Sequence, residues 1–338
     1  MRPLVLVLVA LLLASVRAAD DCARRLRPGD DVQGAVARLG RGGGTLCLGP
    51  GEFALPGPLA ITRDRVTLRG EGTATVLRLA GGVQAPVVIV GDHTRRIPAR
   101  PTADVALERL RIVGSGAGDS EFAAAFPYLS NSAVVIRTGL RTTLRGLDVE
   151  ACRSACIVTE HDTQELLVED CTIAGSTWDG IALNRTARAR IVGNVVRDNT
   201  AAGITAEHLE DSVVARNLIR DNRAHGVYLS DSYRNRFQAN RFEGNTNAGV
   251  FLTCAVRDRE PGRVRCWDGS MSAGNTFTDD VFAGNRRTFI LAPDAAAPCT
   301  RPGFVPNVAR DETYAGGPHA DQDVVRFGRC LEGPGTDP

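Results

Sequence analysis

Between residues 171 and 252 the chain repeats itself every 23 residues. Asn194, Asn217 and Asn240 fall at that interval, as do Asn199, Asn222 and Asn245, and as do Gly180, Gly203, Gly226 and Gly249. Each glycine precedes an apolar–x–apolar step, such as Ile181-Ala182-Leu183 and Val227-Tyr228-Leu229. A fixed period of this length is the signature of a solenoid, whose units cannot bury their apolar side alone and must stack. Alternation at period 2 makes the elements strands. The expectation is an all-β chain, a single-stranded parallel β-helix with coils about 4.8 Å apart. Residues 23 apart are then neighbours on successive rungs. The Asn columns are read as fold: their amides can bond the rungs above and below, and Asn tolerates left-handed corners.

Residues 1–18 read as a secretory signal, with Arg2 for charge, an apolar run over 4–16, and a small-residue exit cleaved after Ala18. The run is too short for a membrane span. A periplasmic or secreted chain is expected. Residues 19–292 are assigned to the β-helix with its N-terminal cap. Asp30 is the expected N-cap of a short helix whose Val32, Ala35, Val36 and Leu39 share a face. Such a helix would cover the open solenoid end, where strand groups lack partners. Residues 114–130 break the strand pattern and carry Phe122, Phe126 and Tyr128, which predicts a loop overhanging the sheet. Residues 293–338 lack periodicity and are expected to form an irregular cap and tail, disordered over 331–338.

Nine Cys in an exported chain imply disulfides with one thiol left over. Cys171 occupies the column of Asn194 and Asn217, so it is the expected buried, free residue. The others fall in local pairs, read as staples: Cys22 with Cys47, Cys152 with Cys156, Cys254 with Cys266, and Cys299 with Cys330. All 40 basic residues are Arg, against 39 acids. With no Lys, the chain has no lysine base, Schiff-base former or carboxylate neutraliser. There is no basic tail and no basic run interleaved with aromatics, so nucleic acid is not an expected partner. No later apolar stretch is long enough to span a membrane.

If the apolar columns point inward, the residues between and after them point outward. Glu160, Asn184, Glu207, Ser230 and Thr253 form one outward column. The next holds His161, Arg185, His208 and Asp231, and one before the glycines holds Asp179, Ala202, His225 and Ala248. Trp178 and Tyr228 flank them, and Arg137 and Arg223 are counted with Trp178, Asp179, Asn184, Tyr228 and Asp231 as substrate-binding candidates. A polar outer face is ordinary for a β-helix. Three of the chain's five His gathering on neighbouring rungs with Arg and carboxylates is less so. That set suits proton transfer on an anionic polymer, and a long groove suits an extended chain.

At these residues the chain resembles the carbohydrate-active right-handed parallel β-helix proteins, which span pectate-lyase-like enzymes and mannuronan C5-epimerases. The opening Asp30-Asp31-Val32-Gln33, with Gly42-Gly43-Gly44-Thr45-Leu46 and Gly51-Glu52-Phe53, is similar to the N-terminal cap of many pectate-lyase-like proteins. The coil Cys156-Ile157-Val158-Thr159-Glu160-His161-Asp162, followed by Trp178-Asp179-Gly180, resembles the epimerases' catalytic turn, and Asn222-Arg223-Ala224-His225-Gly226 their Arg-His-Gly turn. The resemblance implies His161 as the catalytic His, Asp162 as its acidic neighbour and His225 as the turn His. Asn184 falls where that family often has Asp. Cys156 and Thr159 replace the motif's Tyr and Asp, and the family's Lys has no counterpart.

The implied chemistry acts on an acidic, uronate-containing polysaccharide. Arg185 or Arg223 would neutralise the carboxylate and so acidify C5–H. His161 or His208 would take the proton, with Tyr228 or Tyr233 as acid. Reprotonation from the other face is epimerisation; loss of the C4 substituent is a lyase reaction. A second reading is a glycoside hydrolase using Glu160 and Glu207, two rungs or about 9.6 Å apart. A third is a non-catalytic carbohydrate-binding or periplasmic assembly solenoid. A monomer with no required cofactor is expected. Calcium is kept open as a ligand, although no clustered carboxylate motif is present.

Overall fold

The computed structural model describes residues 21–116, 121–260, 263–267, 270–292, 299, 302–315 and 330–333. The segment read as a signal, residues 1–18, lies outside the described residues, as do 334–338 of the tail. The repeat folds as expected, into a parallel β-helix. Each regular coil carries three short strands, for example Leu167–Glu169, Thr172–Ala174 and Ile181–Ala187. We call these the first, second and third faces. Successive coils pair in parallel and in register: Ile157 with Ile181, Ile181 with Ile204, Ile204 with Val227, and Val227 with Val250. The alternation places one apolar residue of most first- and second-face strands inward, and two in third-face strands such as Ile181–Ala187. Val168, Ile173 and Ile181 meet at the axis with no exposed surface, and one core runs from Leu26 to Leu331.

Internal columns of Asn hold the rungs in register. Asn217 Oδ1 accepts from both the backbone N–H and the Nδ2 of Asn194 at 2.9 Å. Asn217 Nδ2 donates to the Ile191 carbonyl at 2.8 Å and to Asn240 Oδ1 at 2.9 Å. Asn199, Asn222 and Asn245 form the same ladder at the next corner. A third ladder, Asn235, Asn275 and Asn307, lies at unequal spacing because insertions separate its members. The corner conformation differs from expectation. These Asn are not left-handed; the residue before each is, at Gly193, Arg216 and Ala239 and at Asp198, Asp221 and Gly244. That turn swings the following side chain inward, where only an amide can satisfy both neighbouring rungs. Cys171 sits in the first ladder as expected, buried and free, with the Leu147 N–H only 3.4 Å from its sulfur.

The four disulfides form as paired in the sequence reading. The helix Val32–Arg38 covers the first coil with Val32, Ala35 and Val36 buried. Its N-cap is Asp31, not Asp30: Asp31 Oδ1 accepts from Gly34 N–H at 2.7 Å, while Asp30 closes the preceding turn on Arg27 N–H. The solenoid also runs past residue 292. Asn307–Arg310 and Thr313–Ala315 add a rung to the first two faces, and Leu331–Glu332, expected to be disordered, pairs onto it. No helix among the described residues is long and apolar enough to cross a membrane.

Asn217→Ala leaves buried donors and acceptors on two rungs without partners. It should lower stability by about 2–4 kcal/mol in denaturant unfolding. Cys171→Asn extends the ladder toward Leu147 and should raise stability by about 1 kcal/mol in the same measurement.

Candidate functional site

The outward column of the third face begins with Ile89, Val135, Val158 and Ala182. The loop expected to overhang the sheet does so here. Residues 121–130 form a small antiparallel hairpin, and its Ala123 and Leu129 bury this column, with Phe126 and Tyr128 packed alongside. Past Ala182 the column continues as Thr205, Tyr228 and Phe251, all half-buried. The Val256–Glu260 and Arg263–Cys266 hairpin lies beyond, stapled by the Cys254–Cys266 bridge. Two cavities lie between the hairpins. One of about 580 Å³ is lined by Arg96, Tyr128, Glu160 and His161. The other, of about 570 Å³, is lined by Glu207, His208, Tyr228 and Asp231. Asn184 and Arg185 line both, so the two join as one groove.

One wall of the groove is a bend late in the third face, just past Ile157–Glu160 and His225–Ser230 and inside Ile181–Ala187 and Ile204–Glu210. His161, Arg185, His208 and Asp231 stack there, and all four have left-handed backbone, with φ between 48° and 67°. That conformation costs a non-glycine residue about 1–2 kcal/mol and turns the side chain outward from the coil. Arg185 is well exposed and pairs with the equally exposed Asp162 at 3.2 Å.

Arg137 is not a substrate-binding residue. It has no exposed surface, and all five of its N–H donors are used internally. Nε donates to Glu160 at 2.9 Å. Nη1 donates to the Asp92 and Arg95 carbonyls at 2.7 and 2.8 Å. Nη2 donates to the Arg96 carbonyl at 2.6 Å and faces His161 Nε2 at 3.2 Å. Two sequence expectations change with it. Glu160 Oε2 is taken up by this buried guanidinium and so is not free to work as one of a glycosidase pair. His161 Nε2 must accept, because a guanidinium only donates, so the ring proton sits on Nδ1. Burial, with Arg137 second, lowers the His161 pKa and keeps the ring neutral. His161 therefore has a proton to offer a ligand, but its lone pair is spent.

His208 is flanked by two carboxylates, Asp231 on Nδ1 at 3.1 Å and Glu210 on Nε2 at 3.0 Å. Both nitrogens face carboxylate oxygens. Tyr233 donates to the other Asp231 oxygen. Burial and Asp231 push the Tyr233 pKa up to about 12. Tyr233, a candidate acid from the sequence, and Glu210, which was not singled out, join this wall through contacts with Asp231 and His208, each two positions away in the chain.

Trp178, Asp179, Arg223 and His225 lie at the opposite edge of the third face. Asp179 and Arg185 are six residues apart, about 20 Å at the backbone. The residues grouped as one patch are thus two walls of a groove. Trp178 and Arg223 are exposed. Asp179 leans in: it accepts from Ala202 N–H at 2.9 Å and from the Thr205 hydroxyl. Burial dominates and pushes its pKa up to about 6, and the Glu207 charge adds to the rise. His225 packs on Phe251 with ring centroids 4.6 Å apart, and Phe251 stacks on Tyr228 at 5.3 Å. Burial lowers the His225 pKa to about 4. The one three-residue metal-ligating cluster among the described residues is Asp21 with Cys22 and Cys47. Those sulfurs are joined in a disulfide and are not thiolate ligands.

Residues 132–259 match the family model for a right handed beta helix region. No curated protein matches the chain in sequence. Among solved structures, the Dettilon tailspike protein superposes with a TM-score of 0.56 at 13% identity, over 86% of this chain and 59% of the tailspike. The surface adhesin PfbA of Streptococcus pneumoniae gives 0.55 at 13% identity, over 85% of this chain and 74% of the adhesin. The A-module of the Azotobacter vinelandii mannuronan C-5 epimerase AlgE4 gives 0.49 at 14% identity, over 93% of this chain and 98% of the module. At these identities the likeness concerns the fold: this chain is a right-handed parallel β-helix.

The unfolded chain protonates His225 near its ordinary pKa of about 6.5, whereas the folded protein does so only at about 4. Between those values the unfolded state holds more protons, so stability falls as pH drops through the window. His161 acts in the same direction. Relative to wild type, His225→Phe should recover on the order of 2 kcal/mol at the acid end of the window and little at neutral pH. Thermal unfolding across that range measures it. Arg137→Met strands Glu160 and three carbonyls and should cost about 3–5 kcal/mol by denaturant unfolding.

Proposed function

We propose that this protein is an exported enzyme that modifies an acidic, uronate-containing polysaccharide by abstracting the C5 proton, as an epimerase or a β-eliminating lyase. The observation that carries this reading is Arg185, an exposed guanidinium where the two cavities meet. A uronate carboxylate paired with Arg185 loses its negative field, which acidifies C5–H. The Nδ1–H of His161, one rung away, and Arg96 across the first cavity supply further donors for the same anion. Glu207, exposed in the second cavity on the rung after Arg185, is the base, since the His161 lone pair is taken and both His208 nitrogens face carboxylates. Asp179 across the floor, with its raised pKa, is the acid. Four disulfides support an oxidising compartment.

One observation favours a second reading. Asp179 and Glu207 are carboxyl groups in unlike environments, one half-buried with its pKa raised and one exposed, felt by each other across Thr205. Such a pair suits an acid and a base of glycoside hydrolysis. It replaces the Glu160–Glu207 pair expected from sequence.

A panel of polyuronates and neutral glycans separates these outcomes. The lyase gives an unsaturated, ultraviolet-absorbing product; the epimerase exchanges solvent deuterium into C5 without cutting the chain; the hydrolase gives reducing ends alone. Glu207→Gln should lower the rate by about 10²–10⁴. Arg185→Ala should lower it by at least about 10² on uronate polymers and leave any activity on neutral glycans intact. If no glycan on the panel reacts while one binds, the enzyme reading fails and the groove is a binding site.

A further inference from the structure

The two halves of the groove differ in charge. Arg96 and Arg185 line the first cavity, and its one acid, Glu160, is already taken up by Arg137. Past Arg185 the second cavity is lined by two carboxylates, Glu207 and Asp231, with His208 on the rung between Arg185 and Asp231. Among the described residues no second guanidinium lines it. A sugar carboxylate is therefore attracted at one end of the groove and meets like charge at the other. A sugar hydroxyl, by contrast, can donate to either acid.

The floor changes in the same direction. Beyond Ala182 the outward column runs Thr205, Tyr228, Phe251 and Ile290, all half-buried. Tyr228 stacks on Phe251, with ring centroids 5.3 Å apart and planes 14° apart. That separation exceeds the contact distance of about 3.5–4.0 Å between carbons, so the stack is offset. The column order turns the other face of Tyr228 toward the small Thr205, on the rung next to Arg185. His225 packs on Phe251 at 4.6 Å, and with its pKa lowered by burial to about 4 it carries no charge at neutral pH. The face of an aromatic ring is the negative end of its quadrupole. It attracts the slightly positive C–H face of a pyranose and repels a carboxylate.

We propose that the sugar following the uronate toward Tyr228 is uncharged, and that Tyr228, backed by Phe251, and Asp231 on the wall select it. The substrate is then a heteropolysaccharide with isolated uronates, not a polyuronate. This rests on the reading of Arg185 as the uronate clamp. A rung is about 4.8 Å high, close to the advance of a polysaccharide by one sugar. A trisaccharide thus spans the rungs of Arg185, His208 and Asp231.

The test is the binding of trisaccharides to the full chain, by titration calorimetry at neutral pH and low salt. One ligand is made of uronate alone. Two carry a single uronate with an uncharged pair on one side or the other, and the last is wholly uncharged. One of the mixed ligands should bind at least about tenfold tighter than the all-uronate ligand. Tyr228→Ala should weaken that mixed ligand about tenfold and move the all-uronate ligand less than about twofold, whereas Tyr228→Phe, which keeps the ring, should bind as wild type does. Asp231→Asn leaves the floor intact and should tighten the all-uronate ligand several-fold. An all-uronate ligand that binds as tightly as both mixed ones would overturn this inference and leave the acidic-polysaccharide reading standing. Binding of the wholly uncharged ligand alone, or of none, would overturn both.

Discussion

Every coil of this protein depends on the backbone of the next for its hydrogen bonds, and the interior amide ladders are what keep that pairing in step. A parallel strand pair has no intrinsic register beyond side-chain fit, and a slip of one residue would exchange core for surface. Asn194, Asn217 and Asn240 remove the ambiguity, because each amide reaches the backbone one rung away and the amide beside it. The inward aliphatic columns then stack without gaps, and toward the C-terminus phenylalanines take over, with Phe237 on Phe277 and Phe242 on Phe282. Where the ladder changes chemistry, at Cys171 and at Asp280, its satisfaction changes too.

The groove is a by-product of the same register. A corner that must be left-handed on every coil projects one side chain per rung along a line parallel to the axis. On the third face that line is His161, Arg185, His208 and Asp231. No loop has to fold around a ligand to bring them together. Loops contribute the ends: the 121–130 hairpin closes the outward column up to Ala182, and the stapled insertion after Cys254 bounds it beyond Phe251. Arg137 links wall and loop, since one guanidinium holds the carbonyls of residues 92, 95 and 96, the Glu160 carboxylate and the His161 ring. A residue that looks like a ligand-binding cation in sequence is thereby a positioning group.

The solenoid, its rungs, the outward columns and the four disulfide pairs were legible in the sequence because a 23-residue period is a one-dimensional signal. Where insertions break the period the signal failed. The third ladder, with steps of 40 and 32 residues, went unread, as did the rung built by Asn307–Arg310 and Thr313–Ala315. The N-cap choice between Asp30 and Asp31 turned on a single side-chain hydrogen bond that spacing does not encode.

Sequence alone determined that the chain coils, which residues face outward, and that histidine, arginine and carboxylate share neighbouring rungs. These follow from periodicity, which assigns a residue to a column and a face. Only the tertiary structure decided what each outward group is free to do. Burial is a property of what lies above a residue, so it took the folded coils and their loops to separate the saturated Arg137 from the exposed Arg185, to spend the lone pair of His161, and to raise Asp179 while Glu207 stays in the open.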